Sequence, residues 1–260
     1  MKYTFYKYQG AGNDFVLLDD REETFLVDRQ KIERICHRNF GVGADGLILL
    51  QNSNPYDFRM RYFNSDGRES SMCGNGGRCI AQFAFDLGLV QQEMTFEAID
   101  GLHRAVVHPT YVALEMIDVD KVEVYPSHYF LNTGSPHHVQ FVDDVQKIDV
   151  QKEGAKIRYG APYFEQGSNV NFVEVDENQT LHIRTYERGV EAETLACGTG
   201  VTAAAIAAFS AGKVSQLPIH VKAVGGDLSV QFMLANLRYE QVWLEGPAQF
   251  VFEGMITLEN

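Results

Sequence analysis

Residues 2–8, KYTFYKY, alternate aromatic and polar side chains at period two, the pattern of a half-buried strand. The run from Gln9 to Asp14 then breaks it, and FVLLD at 15–19 resumes a strand. Asp28 is a good N-cap for a helix through Ile32, Ile35 and Cys36 that ends near Asn39. Gly41 to Gly46, GVGADG, spells a dinucleotide fingerprint, but a helix precedes it and the strand Leu47–Leu50 follows, the reverse of the order a nucleotide fold needs. FRMRYF at 58–63 is another alternating strand, and Asn64 to Gly67 is turn chemistry. A helix follows from about Asn75 to Leu87, closed by Gly88. Met94 to Met116 reads as a three-strand meander with turns at Asp100-Gly101 and Pro109-Thr110.

From Ile117 onward the pattern replays. Gly134 lies 122 residues after Gly12, in a Gly-rich break that leads into the apolar run ending at Asp143. LHIRTY at 181–186 takes the place of FRMRYF, and Glu187-Arg188-Gly189 that of the Asn64 turn. Cys197 lies 124 residues after Cys73, so two residues of drift separate the copies, as loop insertion gives. The helix after Cys197, VTAAAIAAFSA, is apolar on every face and is expected to be buried with sheet around it. Strands follow from Asp227 to Leu258, with Gly246-Pro247 as a break and Trp243 in the core. These elements predict an α+β fold of two pseudo-symmetric lobes from a tandem duplication. Each lobe is a mixed or antiparallel sheet curled around a buried central helix, with the active site in the cleft between them. The lobes are expected at 1–117, with a returning C-terminal strand at about 249–260, and at 118–248.

The chain has 260 residues, 45% hydrophobic and 22% charged, and no stretch approaches a membrane span, so a soluble globular protein is expected. Its start lacks the apolar run of a secretory signal, which points to the cytoplasm. A net charge of −13 without basic runs argues against nucleic-acid or anionic-membrane partners, so an anionic substrate must be held locally. Four cysteines in such a chain read as reduced thiols, and neither their spacing nor His37, His137 and His138 fits a metal site.

The chemistry gathers in the doubled block, MCGNGGRC at 72–79 and ACGTG at 196–200. A Cys beside Gly-x-Gly just ahead of a helix sits where unpaired backbone N–H groups and the positive end of the helix dipole converge. That setting favours a thiolate and also cradles a carboxylate. Cys36 and Cys79 are expected to be small buried hydrophobes. On residue chemistry alone His137 reads equally as a satisfied core or turn histidine, Glu187-Arg188 as a solvated turn pair, and Asn13, Asn64, Asn75 and Asn171 as turn residues. Register raises His137, which follows a Gly-rich turn mirroring Gly12-Asn13, and Glu187, ten residues before Cys197. Polar amides at turns of both lobes suit a site for an amino acid's ammonium and carboxylate. A Cys/His hydrolase has no use for a mirrored second thiol, and a dithiol redox enzyme brings both thiols from one local motif. Cofactor-free racemisation needs two bases, one deprotonated and one protonated, on opposite faces of one carbon.

The two Cys blocks, with GAGNDF at 10–15, TGSPHHV at 133–139, NVNFVEV at 169–175 and ERG at 187–189, resemble the diaminopimelate epimerase family nearly end to end. The resemblance implies interconversion of LL- and meso-diaminopimelate, for lysine and peptidoglycan precursors, without pyridoxal phosphate or metal. It implies Cys73 and Cys197 as acid/base residues with His137 and Glu187 supporting them. Substrate contacts are implied at Asn13, Asn64, Gly74, Asn75, Asn171, Glu187, Arg188, Gly198 and Thr199, and the assembly implied is a homodimer. Arg78, in the first block's helix, is expected to matter less for substrate than Arg188. This chain departs from family patterns at Ser135, where many members have Asn, and at Gly46, where some have Gln; both bear on the distal amino-acid head. The alternatives are a proline or hydroxyproline racemase of the same fold and a non-catalytic amino-acid-binding protein.

Overall fold

A computed structural model of the protein describes residues 1–258. Among them the chain forms two compact units, Met1–Leu114 with the segment from Gly246 onward, and Glu115–Glu245. The last two residues of the C-terminal strand expected from the sequence, Glu259 and Asn260, lie outside the described residues.

The first unit opens with the hairpin β1 (Lys2–Gly10) and β2 (Asn13–Asp19). Its turn is narrower than the break expected at 9–14: Gly10 pairs with Asn13, and Ala11 (φ 51°) and Gly12 (φ 83°) both take left-handed backbone. Two such residues match the right-handed twist of the flanking strands. Asp28 caps α1 (Arg29–Cys36) through Lys31 N, and the helix stops at Cys36, short of Asn39. Then come β3 (Gly46–Gln51), β4 (Phe58–Asn64) and the short β5 (Glu69–Ser70), with the helix α2 (Gly74–Asp86) after them. The meander β6 (Glu93–Ala98), β7 (Gly101–Val107) and β8 (Val112–Glu115) follows as expected.

In the second unit β9 (Glu123–Val124) precedes a hairpin of β10 (Tyr129–Asn132) and β11 (Pro136–Phe141). After α3 (Val150–Tyr159) come β12 (Asn169–Val175), β13 (Leu181–Glu187), β14 (Ala192–Thr194) and α4 (Gly198–Ser210). Three long strands complete the unit: β15 (Ile219–Ala223), β16 (Gly226–Ala235) and β17 (Arg238–Gly246). The final strand β18 (Gln249–Thr257) returns to the first unit and pairs antiparallel with β1.

The pairings repeat strand for strand. β2–β3 and β11–β12 are parallel, β3–β4 and β12–β13 antiparallel, and β4–β6 and β13–β15 parallel again. The hairpin turn has two residues in the first unit and three, Thr133 to Ser135, in the second, which accounts for part of the drift between the copies. The fold is α+β, and each unit wraps a sheet around one helix. α2 packs on β1, β2, β3, β7 and β18, while α4 packs on β10 to β13, β15 and β16. Every residue from Val201 to Ala208 is buried, as an all-apolar face pattern requires. Its alanines let the strands approach closely, and enlarging one would overpack the unit at a cost of about 1–3 kcal/mol.

Trp243 departs from expectation and is only half buried. Along β17 Val242 and Leu244 take the inner face, so period two turns Trp243 outward.

Candidate active site

Each cysteine of the doubled block is the N-cap of its unit's central helix. Cys73 (φ −101°, ψ 139°) precedes α2 and Cys197 (φ −113°, ψ 110°) precedes α4, both in extended backbone. Each helix therefore begins at the thiol, where its first-turn N–H groups have no acceptor within the helix. The remaining cysteines fit their expected inert role: Cys36 and Cys79 are buried, and burial pushes the Cys36 thiol up to about 12 and Cys79 still higher.

In the first unit Gly76 N donates to Cys73 Sγ at 3.3 Å, and the sulfur lies 3.7 Å from Asn13 Oδ1. The tight hairpin turn places Asn13 there as the first residue of β2. Asn13 Nδ2 donates to Asp45 Oδ2 at 2.5 Å, and Asn75 Nδ2 donates to Asn13 Oδ1 at 3.3 Å. Asn64 ends β4 on the neighbouring strand edge, paired with Gly46 and exposed. Gly46 has a local reason to be glycine, since a Cβ there would stand 2.5 Å from both Phe63 O and the Tyr62 ring.

In the second unit Cys197 Sγ lies 3.4 Å from Thr199 Oγ1, and Thr133 Oγ1 donates to Thr199 O at 2.8 Å, which ties the hairpin turn to the start of α4. His137 on β11 is fully buried. Asn171 Nδ2 donates to His137 Nδ1 at 3.1 Å and to His138 O at 3.0 Å, while Asn171 Oδ1 accepts from Thr185 Oγ1 at 3.0 Å. The carbonyl of His138 orients that amide, so Nδ1 is the accepting nitrogen and the neutral ring carries its proton on Nε2. Nε2 is buried without a hydrogen-bond partner among the described residues. Burial, aided by the Arg188 charge, pushes His137 down to about 3, so the ring is neutral near pH 7.

Glu187 ends β13, half-buried, and accepts from Thr194 Oγ1 at 2.9 Å. Arg188 N donates to Asn169 Oδ1 at 2.8 Å, and Arg188 Nη1 donates to Gln166 O at 2.9 Å. Asn169 Nδ2 donates in turn to Ser135 Oγ at 2.8 Å. Ser135 therefore belongs to a bonded set that joins the hairpin turn, β12 and the Glu187-Arg188 turn.

Of the residues named from the sequence, Asn13, Cys73, Gly74 and Asn75 come together in the first unit, with Asn64 at the adjacent strand end. His137, Asn171, Glu187, Arg188, Cys197, Gly198 and Thr199 lie on the elements bordering the start of α4 in the second. Asn171, implied as a substrate contact, is fully buried, with its amide hydrogens bonded to His137 Nδ1 and His138 O. Asn169 was missed, although it shares a strand face with Asn171 at period two. Arg78, ranked below Arg188, is the largest fully buried side chain; nothing in its spacing announces burial, because arginine is seldom found inside. Asp45, which orients Asn13, was read only as part of a rejected nucleotide motif. Two surface recesses, at Asp28, Lys31, Arg34 and Ile256 and at Tyr3, Thr4, Asp19 and Phe25, hold none of these groups. Among the described residues no group of three or more His, Cys, Asp or Glu side chains is arranged to hold a metal ion.

A family model described as diaminopimelate epimerase matches residues 5–119 and 129–251 of the chain. Over 253 residues the chain is 50% identical to a protein named diaminopimelate epimerase from Flavobacterium psychrophilum, covering 96% of this chain and 99% of the relative. It is 43% identical over 259 residues to the protein of that name from Chlorobaculum tepidum, covering 96% and 99%. Among solved structures, a phenazine biosynthesis protein of the PhzF family from Bacillus anthracis superposes with a TM-score of 0.78 at 16% identity, covering 99% of this chain and 100% of the other. A probable proline racemase from Agrobacterium radiobacter superposes with a TM-score of 0.69 at 15% identity, covering 99% and 93%. At such identities the two structures show a shared fold and nothing about substrate.

Proposed function

This chain belongs to the diaminopimelate epimerase family, isomerases that interconvert LL- and meso-diaminopimelate, and within that activity we propose that Cys73 and Cys197 are its two acid/base groups. The observation that carries the assignment is the equivalent place of the two thiols. Each caps the buried helix of a duplicated unit, where backbone N–H groups stabilise negative charge on sulfur and on a nearby carboxylate. One thiolate removes the α-proton and the other thiol returns a proton to the opposite face of the carbon. A thiol, with a reference pKa of about 8.5, is far more acidic than an amino-acid α-carbon, so the carbanion must be stabilised strongly. Helix N-termini directed at the α-carboxylate supply that stabilisation, and it grows as water is excluded. The reaction proposed uses only the protein's own groups.

His137 and Glu187 support the thiols. A buried neutral imidazole whose Nε2–H lacks an acceptor among the described residues costs about 1–3 kcal/mol, a cost that a role in proton handling explains. Asn13, Asn64, Gly74, Asn75, Asn171, Glu187, Arg188, Gly198 and Thr199 are the proposed substrate contacts, and Asn171 also orients His137. Asn169 joins them through its bonds to Ser135 and Arg188.

We further propose a cytoplasmic homodimer. Cys36 and Cys79 are buried thiols, which suits a reducing compartment, and among the described residues no helix is long and apolar enough to cross a membrane. Phe250 and Phe252 on one face of β18 and Val251 and Met255 on the other are exposed, apolar surface of the kind a second copy covers. Sedimentation equilibrium checks the dimer; a single species at monomer mass at micromolar concentration refutes it.

The activity is tested by incubating purified protein with LL-diaminopimelate in deuterated water, with L-proline in parallel. Solvent deuterium should appear at the α-carbon of the meso product while proline stays unchanged. Binding without exchange would favour a non-catalytic binding protein, and turnover of proline would favour the racemase reading.

A further inference from the structure

We propose that Arg78 is a positioning residue for Cys73: its buried guanidinium sets the direction of a hydrogen-bonded chain ending beside the thiol and holds a positive charge there. The proposal rests on Cys73 being an acid/base group.

Arg78 is wholly buried in the first turns of α2, and its three acceptors are neutral oxygens: Gly74 O at 3.2 Å, Asn75 Oδ1 at 2.8 Å and Pro247 O at 3.4 Å. Burying a charge without a carboxylate is costly, so a merely structural task would be met by something cheaper. The other unit shows that substitute. Thr202, five residues after Cys197 as Arg78 is after Cys73, bonds the equivalent carbonyl, Gly198 O, through a hydroxyl at 3.0 Å.

The guanidinium does two things a hydroxyl does not. It can only donate, so it forces the oxygen of Asn75 toward itself and the Asn75 NH2 toward Asn13 Oδ1. At the far end the Asp45 carboxylate accepts from Asn13 Nδ2 at 2.5 Å and so turns Asn13 Oδ1 toward the sulfur. With a donor-only cation at one end and an acceptor at the other, neither amide can flip. Cys73 then faces an acceptor for its S–H form and, in Gly76 N, a donor for its thiolate form, with the Arg78 charge interacting electrostatically with the thiol. A group that must cycle between both forms needs both.

The other charged or titratable groups around Cys73 do not replace this charge. On α2, burial pushes the Cys79 thiol up and leaves it neutral. From β2 and the segment before β3, Asp14 and Asp45 are both paired with Arg38, and Asp14 with Lys7 as well. Asp100 accepts from Met72 N at 3.2 Å and lies 3.2 Å from His103.

The experiment compares Arg78→Met and Arg78→Lys. In a Cys197→Ser background, alkylation of Cys73 by iodoacetamide is followed against pH by mass spectrometry; in the otherwise intact enzyme, kcat and KM are measured. Arg78→Met should raise the pH midpoint of Cys73 alkylation by about one unit or more and lower kcat by about tenfold or more. Arg78→Lys, which keeps the charge but loses the fork, should keep the midpoint and lose about fivefold or more in kcat through the loosened amides. An unshifted midpoint in folded Arg78→Met, judged by near-ultraviolet dichroism, overturns the proposal. Should that variant not fold, Arg78→Lys and Asp45→Asn decide, the latter freeing the other end of the chain from a side chain 43% exposed. Parental kcat in both overturns the proposal, and reduced kcat in both sustains it. Cys73→Ser separates the two readings: parental activity there refutes Cys73 as a base, whereas loss there with an unshifted Arg78→Met refutes only the role of Arg78.

Discussion

The two thiols occupy one backbone device in two chemical settings. At Cys73 the device is charged: the sulfur caps its helix through Gly76 N, two amides are held between Arg78 and Asp45, and Lys7, Asp14 and Arg38 lie behind them. At Cys197 the helix itself brings no charged side chain: the thiol makes no capping bond, hydroxyls of Thr133, Thr199 and Thr202 border the helix start, an uncharged His137 is buried nearby, and the charges of Glu187 and Arg188 stand on the adjoining turn. Duplication kept what backbone geometry provides, the N-cap and the glycines. What tunes a thiol, the charges and amides packed around it, diverged. In the proposed reaction a substrate presents different groups to the two sides of its reacting carbon, which unequal surroundings suit.

The strongest way to break this comparison is to remove each thiol in turn. Cys73→Ser and Cys197→Ser should each lower epimerisation by about 10³-fold or more, since a hydroxyl is a far weaker base. On an analogue with a leaving group at the β-carbon, the two variants should eliminate from opposite stereoisomers. Elimination from the same isomer would show that the thiols do not divide the two faces.

Acid should separate the units next. Burial, aided by Arg188, holds His137 at about 3, and burial, aided by His128, holds His138 at about 4, both below the usual 6.5. Unfolded chains take up protons from pH 6.5 downward while the folded unit does not, so this stability is whole above pH 6.5 and is lost as pH falls toward 3–4. Between pH 7.5 and 5 the loss is about 2 kcal/mol per histidine. In the first unit burial pushes Asp14 up, but the bonds from Arg38 and Lys7 win and hold it at about 2. Its contribution is present above pH 3.8 and is lost only as pH falls toward 2. Hydrogen exchange at pH 5 should therefore quicken in β11 and β12 well before β1 and β2. Equal quickening would remove the electrostatic contrast.

A matched pair of glycines sharpens the comparison at smaller scale. Gly76 and Gly200 each lie three residues after their cysteine, but a Cβ at Gly200 would stand 2.5 Å from Asn171 Oδ1, whereas at Gly76 the nearest atom is the flexible Ile48 Cδ1 at 3.3 Å. Gly200→Ala should cost about 1–3 kcal/mol and disturb His137 through Asn171, with Gly76→Ala under about 1 kcal/mol. Urea midpoints decide, and equal shifts would show that Asn171 yields freely.

The smallest effect is expected at Arg188. Arg188→Ala should raise KM for diaminopimelate about tenfold, roughly 1.4 kcal/mol, with kcat changed less than about threefold, because its planar fork suits a carboxylate. A fall in kcat alone would place Arg188 with the thiol chemistry instead of substrate binding.

Much of this was legible in the sequence. Period-two runs gave β1, β4 and the meander, Asp28 marked its helix start, and two Cys-Gly-x-Gly blocks announced two helix N-termini, because strand alternation and capping are local and leave local traces. By itself the sequence determined the duplication, the two thiols, their caps and the family. Only the tertiary structure decided that Arg78 is inside, that Asn171 serves His137 while Asn169 holds Arg188 and Ser135, and that Trp243 turns outward. Those outcomes depend on which oxygen, ring or charge from a distant segment packs against a side chain, and no spacing along one chain encodes that.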